Sequence, residues 1–193
     1  MSLDFQNPGY SWIHEQNDST NESLLFAQKI FSLLAKKHSV WLGADCRVLR
    51  SQVMNDCSVS PSLFFRSGGT SGENKWIRHD QKSLFSAVNG LMAHLGEERM
   101  SSWCCLPLNH VGGMMQIIRA ASTGGKVFFF DYRSLYQESL GSFFENQWIS
   151  LVPTQLHRLI ESPVACENLR RFRGIFMGGA ALPLSLAQKC RFE

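Results

Sequence analysis

From residue 62 onward, short apolar runs alternate with stretches of helical periodicity, and this alternation constrains the fold more than any other feature of the chain. Strand-like runs fall at Ser62 to Arg66, Ser101 to Leu108, Lys126 to Asp131, Trp148 to Val152 and Arg173 to Met177. Between them lie amphipathic segments. Asp80 is placed to cap a helix carrying Leu84, Val88, Leu91, Met92 and Leu95, closed by Gly96. Val111 to Ser122 carries Met114, Met115, Ile117 and Ile118 and stops at Gly124-Gly125. Ser134 to Asn146, a segment capped by Thr154, and Leu182 to Arg191 supply the remaining expected helices. Near-continuous apolar strands separated by helices predict an α/β fold, a largely parallel sheet with helices on both faces.

The first 60 residues are less regular. Residues 1 to 20 are expected to be an irregular lead-in, followed by a helix through Leu24, Leu25, Ala27, Phe31, Leu34 and Ala35. Val40 to Leu42 reads as a short strand and Val48 to Met54 as a short helix. The expected organisation is a 1–60 lead-in and helix packing on the core, then a 61–193 α/β domain. Trp76 to His79 reads as a return strand, which makes the segment before it a hairpin connection.

That connection is the most distinctive stretch. Phe65 to Lys75 reads FRSGGTSGENK. Gly68, Gly69 and Gly72 allow backbone N–H groups to turn toward an anion, Ser67, Thr70 and Ser71 add hydroxyls, and Lys75 adds a cation. By itself the stretch reads equally as a Gly/Ser turn or as a polyphosphate cradle. Two further strand ends run into polar or glycine-rich turns: Pro107 to Gly113, which contains His110, and Gly178-Gly179-Ala180-Ala181. Val152-Pro153-Thr154-Gln155 is a possible fourth. Ligands of open parallel sheets bind beyond the carboxyl ends of the strands, so these turns are expected to share one edge, which favours the cradle.

Composition excludes several classes. Net charge is +3 and the basic residues are scattered, which argues against nucleic acid. The six cysteines form no C-x-x-C pair, so no metal site is expected. The N-terminal residues have no signal-peptide pattern and no apolar run reaches membrane-spanning length, so a cytoplasmic setting is expected. Lys75 follows Asn74 rather than Gly, so the loop is not a Walker A, and there is no G-x-G-x-x-G, G-x-S-x-G or H-E-x-x-H.

In their order these motifs resemble those of the adenylate-forming enzymes, the acyl-CoA synthetase superfamily. Ser67 to Lys75 is similar to its T-S-G-T-T-G-x-P-K phosphate loop, and Leu106 to Gly113 to its P-L-x-H-x-x-G motif. Leu151 to Thr154 resembles its V-P-T segment, and Phe172 to Ala180 its L-R-x-x-x-x-G-G-A stretch. The form of the loop looks most like the o-succinylbenzoate branch, which serves menaquinone and phylloquinone synthesis.

The resemblance implies a two-step reaction: a carboxylate attacks the α-phosphate of Mg²⁺-bound ATP, and CoA then displaces AMP. It implies that Ser67, Gly68, Gly69, Thr70, Ser71, Gly72 and Lys75 hold the phosphates. His110 would lie beside the acyl group as the catalytic residue, and Thr154, Gly178, Gly179, Ala180 and Ala181 would line the adenine and acyl pocket. Asn74 and Trp76 depart from the family's Pro and Gly. The printed sequence stops before the family's aromatic-Gly-x-T-E motif and its C-terminal domain. The expectation is therefore of an N-terminal portion that needs a C-terminal portion or self-associates. The alternatives are a non-catalytic nucleotide- or acyl-binding module, or an inactive remnant.

Overall fold

A computed structural model describes residues 13–14, 18–42, 48–53, 60–66, 75–138, 140–142 and 144–190. Among them the strands form two sheets. The first is five-stranded and parallel throughout: β1 (Ile13–His14), β7 (Val127–Phe129), β6 (Ser102–Cys104), β8 (Trp148–Leu151) and β9 (Gly174–Met177), in that spatial order. The second is mixed, in the order β3 (Val48–Val53), β2 (His38–Leu42), β4 (Ser62–Arg66) and β5 (Trp76–Asp80). Here β2 and β4 run parallel while β3 and β5 pair antiparallel on the outside.

The expected α/β fold with a parallel sheet and helices on both faces is present, with one correction. The strand at 62–66 does not join those at 102, 127, 148 and 174. Parallel neighbours need a long crossover, whereas the chain after β4 returns within ten residues as β5, Arg66 standing opposite Trp76. The hairpin therefore completes a separate sheet before α2 (Gln81–Leu95) carries the chain to β6.

Three helices join the sheets. Helices α1 (Asp18–Ala35) and α2 pack on the four-stranded sheet, α3 (Val111–Thr123) packs on β6 and β7, and α2 touches α3. One apolar cluster runs from Phe26, Ile30 and Leu34 through Val40, Leu63 and Phe65 to Val88, Met114, Ile117 and Val127. A second cluster, on the opposite face of the five-stranded sheet, gathers Trp103, Leu135, Phe144, Ile149, Leu151, Leu156, Leu169 and Phe172 under α4 (Pro153–Leu159), α5 (Pro163–Arg170) and α6 (Leu184–Lys189).

Local chemistry sets the boundaries. The Asp80 carboxylate accepts from the Ser83 N–H at 2.8 Å, satisfying a free donor of the first turn of α2. Gly96 closes that helix at φ 66° and Gly124 closes α3 at φ 70°, left-handed conformations that suit glycine. Other expectations are corrected. Val48–Val53 is a strand and not a helix, because pairing with β2 outweighs a weak local pattern. Ile13–His14 is a strand and α1 starts at Asp18, so the lead-in is not wholly irregular; residues 1–12 and 15–17 lie outside the described residues. The expected helix from Ser134 is only a single 3-10 turn, Tyr132–Tyr136, capped by Asp131, and Asn146 sits at φ 58°. Its apolar residues Leu135 and Phe144 are nevertheless buried. Helix α4 is capped at Val152 rather than Thr154, with Pro153 in its first turn. Helix α5, which no apolar pattern announced, starts at Ser162, whose hydroxyl accepts from the Ala165 N–H at 3.3 Å.

Candidate functional site

Because the five-stranded sheet is parallel, the carboxyl ends of all its strands lie along one edge. Three of the expected stretches meet there. After β6 the chain turns through Pro107 into α3, and the His110 N–H donates to the Pro107 carbonyl at 3.2 Å. His110 is the N-cap of α3, extended at φ −106° and ψ 146°, exposed and without a side-chain capping bond. Its imidazole is thus presented at the edge and not used inside the fold. The first turn of α3 sits directly on the Pro107 carbonyl, and a Cβ at Gly113 would overlap it, so this approach requires glycine.

The second and third stretches are tied to each other. The Gly178 N–H donates to the Leu151 carbonyl at 3.2 Å, extending the β8–β9 pairing past the strand end. Gly179, at φ 79°, lies against Val152, with its Cβ position 3.1 Å from the valine Cγ1. Gly178, Gly179, Ala180 and Ala181 are all exposed, leaving a bare backbone edge. Beside it Val152 donates its N–H to Gln155 Oε1 at 3.0 Å, which fixes the entry of α4 and places Thr154 in its exposed first turn. Pro153, Thr154, His157, Arg158, Pro183 and Leu186 line an open groove of about 270 Å³ between α4 and α6. The Cys105 thiol reaches the Ser150 carbonyl at 3.5 Å, linking the β6 turn to β8; burial pushes this thiol well up from its ordinary value, so it is no nucleophile.

The glycine-rich stretch after β4 follows a strand of the other sheet, which corrects the expectation of one shared edge for all the turns. Ser67, Gly68, Gly69, Thr70, Ser71 and Gly72 lie outside the described residues. Lys75 is described, exposed, at the start of β5. Among the described residues no group of three or more His, Cys, Asp or Glu stands close enough to hold a metal. No described helix is long and apolar enough to cross a membrane.

Two polar residues passed over by the sequence reading lie inside α3. Arg119 is buried at 6% exposure; its Nε donates to the Met115 carbonyl at 3.0 Å, its Nη1 faces Met100 Sδ, and its guanidinium stands 5.0 Å from the Phe176 ring centroid. No carboxylate pairs with it among the described residues, and burial holds it below its ordinary pKa. One turn earlier Gln116, fully buried, has an Oε1 without a hydrogen-bond partner among the described residues. At i and i+3 the two share a side of the helix. A buried cation without a counter-charge beside an unused acceptor is uncommon in a packed core, where buried polar groups are as a rule paired. The available signal was their place inside the apolar run Met114 to Ala121.

The sequence profile of the AMP-binding enzyme family, described as "AMP-binding enzyme", matches residues 27–192. Two curated relatives are 2-succinylbenzoate–CoA ligases. That of Enterococcus faecalis is 26% identical over 145 residues, covering 71% of this chain and 29% of the relative. That of Haemophilus influenzae is 27% identical over 130 residues, covering 66% and 28%. The chain thus spans under a third of the length of these relatives. Among solved structures, the o-succinylbenzoate CoA synthetase of Bacillus subtilis, in complex with its acyl-adenylate intermediate, superposes with a TM-score of 0.54 at 24% identity. The match covers 67% of this chain and 34% of that one, a likeness of fold.

Proposed function

The chain belongs to the AMP-binding enzyme family, and on that premise we propose that it carries part of the nucleotide- and acyl-binding surface of an acid–CoA ligase. In this reading ATP and a carboxylic acid, o-succinylbenzoate or a similar aromatic diacid, give an acyl-adenylate and pyrophosphate. CoA then takes the acyl group and AMP leaves. The observation that carries the reading is the meeting of Pro107–Gly113, Val152–Thr154 and Gly178–Ala181 at one sheet edge, in a domain matched by the family.

Each part has a physical task. The bare backbone of Gly178 to Ala181 lets a flat ring approach closely, as an adenine requires. The exposed His110 imidazole stands where the acyl carboxylate would meet the α-phosphate, and can donate to an oxygen that gains charge there. Ser67 to Gly72 and Lys75 hold the outer phosphates. Mg²⁺ travels with those phosphates as part of the substrate. Arg119 lies nine residues along α3 from His110, about 13 Å at the helical rise per residue. That is a span over which a diacid can react at one end and be held at the other. The Gln116 amide beside it can accept from a donor of the ligand or from a water.

Equilibrium binding of ATP to this chain tests the reading. We expect saturable binding that weakens on the order of tenfold in Lys75→Ala, the loss of one charged contact. Absence of binding, or binding indifferent to Lys75→Ala, overturns it. For the diacid, Arg119→Met should weaken binding of o-succinylbenzoate by roughly ten- to a hundredfold and leave benzoate unaffected. Equal effects on both acids would remove Arg119 from the site while leaving the nucleotide reading intact.

A further inference from the structure

The outer face of the four-stranded sheet carries a pattern that the function above does not use. Alternation along β2 and β4 turns Val40, Leu42, Leu63 and Phe65 into the core. Trp41, Phe64 and Arg66 therefore share the other face. Register places Arg78 opposite Phe64 and Trp76 opposite Arg66 on the same side. Trp41 and Phe64, both half-buried, stack on each other at 4.2 Å between centroids and 4° between planes. Arg66 and Arg78 are exposed, Trp76 is 41% exposed, and Arg78 is held by its Nε donating to Ser62 Oγ at 2.9 Å.

The charge on this sheet is one-sided. Among the described side chains its strands carry Arg66 and Arg78 against a single carboxylate, Asp80, which caps α2. Among the described residues no carboxylate stands within ion-pair distance of Arg66 or Arg78, although Asp80 is near enough to Arg78 to be influenced by its charge. Arginine and tryptophan are the side chains most enriched at the energetic centres of protein interfaces. We propose that this face docks an acidic protein segment, its carboxylates on Arg66 and Arg78 and its apolar groups against the exposed Trp76. A second copy of the chain would set arginine against arginine. A single-stranded nucleic acid would need open ring faces for its bases, and the stacked pair spends its facing surfaces on itself.

The test is the binding of a fluorescently labelled oligoglutamate peptide, followed by anisotropy at low and raised salt. Wild type should bind, with affinity falling as salt rises. Arg66→Glu/Arg78→Glu should weaken binding by roughly tenfold or more, while Arg133→Glu/Arg170→Glu, the same change of net charge at exposed arginines elsewhere, should retain most of it. Circular dichroism verifies folding, and Arg66→Gln/Arg78→Gln replaces the double reversal if that variant fails to fold. Lack of peptide binding, equal loss in both charge-reversed variants, tighter binding of a single-stranded oligonucleotide, or self-association through this face overturns the proposal.

Discussion

Among the described residues, the five-stranded sheet is covered on both faces and the four-stranded sheet on one, and their strands differ accordingly. Ser102, Trp103 and Cys104 of β6 are all buried, as are three of the four residues of β8. In β4 the core-facing Leu63 and Phe65 are buried while Arg66, on the other face, is exposed, and in the edge strand β5 Trp76 and Arg78 are exposed on that same face. A strand with helices on either side has no solvent face on which to place polar residues, so it becomes a continuous apolar run and its polar chemistry is displaced to its ends. A strand with one open face can carry arginines and aromatics along its length. The first arrangement concentrates a site at an edge, the second spreads a surface across a face. The two sheets therefore differ in the kind of ligand each can present to, a small molecule at the strand ends or an extended partner across the strands.

The strongest test of this contrast is Trp103→Ala. Trp103 is 1% exposed, and its ring lies 4.5 Å from that of Phe130, 5.2 Å from Phe144 and 6.1 Å from Phe172, centroid to centroid. Nothing nearby can close the gap without breaking other aromatic contacts. The substitution should cost about 3–5 kcal/mol, read as a shift of the urea midpoint at unchanged slope. A cost below about 1 kcal/mol would mean that this half of the core is far more plastic than its packing suggests.

What could be seen in the sequence follows the same division. The strands at 102, 127, 148 and 174 announce themselves because burial on both faces leaves an apolar run. The turns after them announce themselves because proline, histidine and paired glycines break that run. Membership of β4 in a second sheet was not legible, since an apolar strand has the same composition in either sheet and only pairing distinguishes them. Strand β3 was misassigned because Val48 to Val53 has no strong period and draws its conformation from β2. In the candidate site, the grouping of the 107–113, 152–154 and 178–181 stretches was legible from strand order. The buried pair Arg119 and Gln116, further along α3, was not legible, because helical periodicity assigns polar residues to the solvent side. Only the packing of α3 toward Met100 and Phe176 shows that these two are inside.

Asp80 is where the two sheets connect, at the end of β5 and the start of α2. Removing its cap with Asp80→Ala should cost about 1 kcal/mol. The hydrogen bond from the Ser83 N–H holds its carboxyl below the ordinary value of 3.8, with nearby cations adding to the effect and slight burial opposing it. A depressed folded pKa gives stability that is present above the unfolded pKa and is lost as pH falls through the folded one. The gap between wild type and Asp80→Ala should therefore be full near neutral pH and close as the pH drops below about 3.8. A gap that persists in strong acid would mean that the aspartate acts through packing and not as a charged cap.

The smallest expected effect is the most informative about the open face. Trp76 is 41% exposed on an edge strand, and its ring stands over no buried cluster. Trp76→Ala should change stability by no more than about 0.5 kcal/mol, against the several lost at Trp103, although both are tryptophans on strands. Its effect should appear instead in the binding of an acidic peptide that also carries leucines, whose apolar side chains would lie against the indole, and less in oligoglutamate binding. If Trp76→Ala destabilises the fold by more than about 2 kcal/mol, the outer face of the four-stranded sheet is packed within the chain itself. The contrast between a buried sheet and an open one then fails at its most exposed residue.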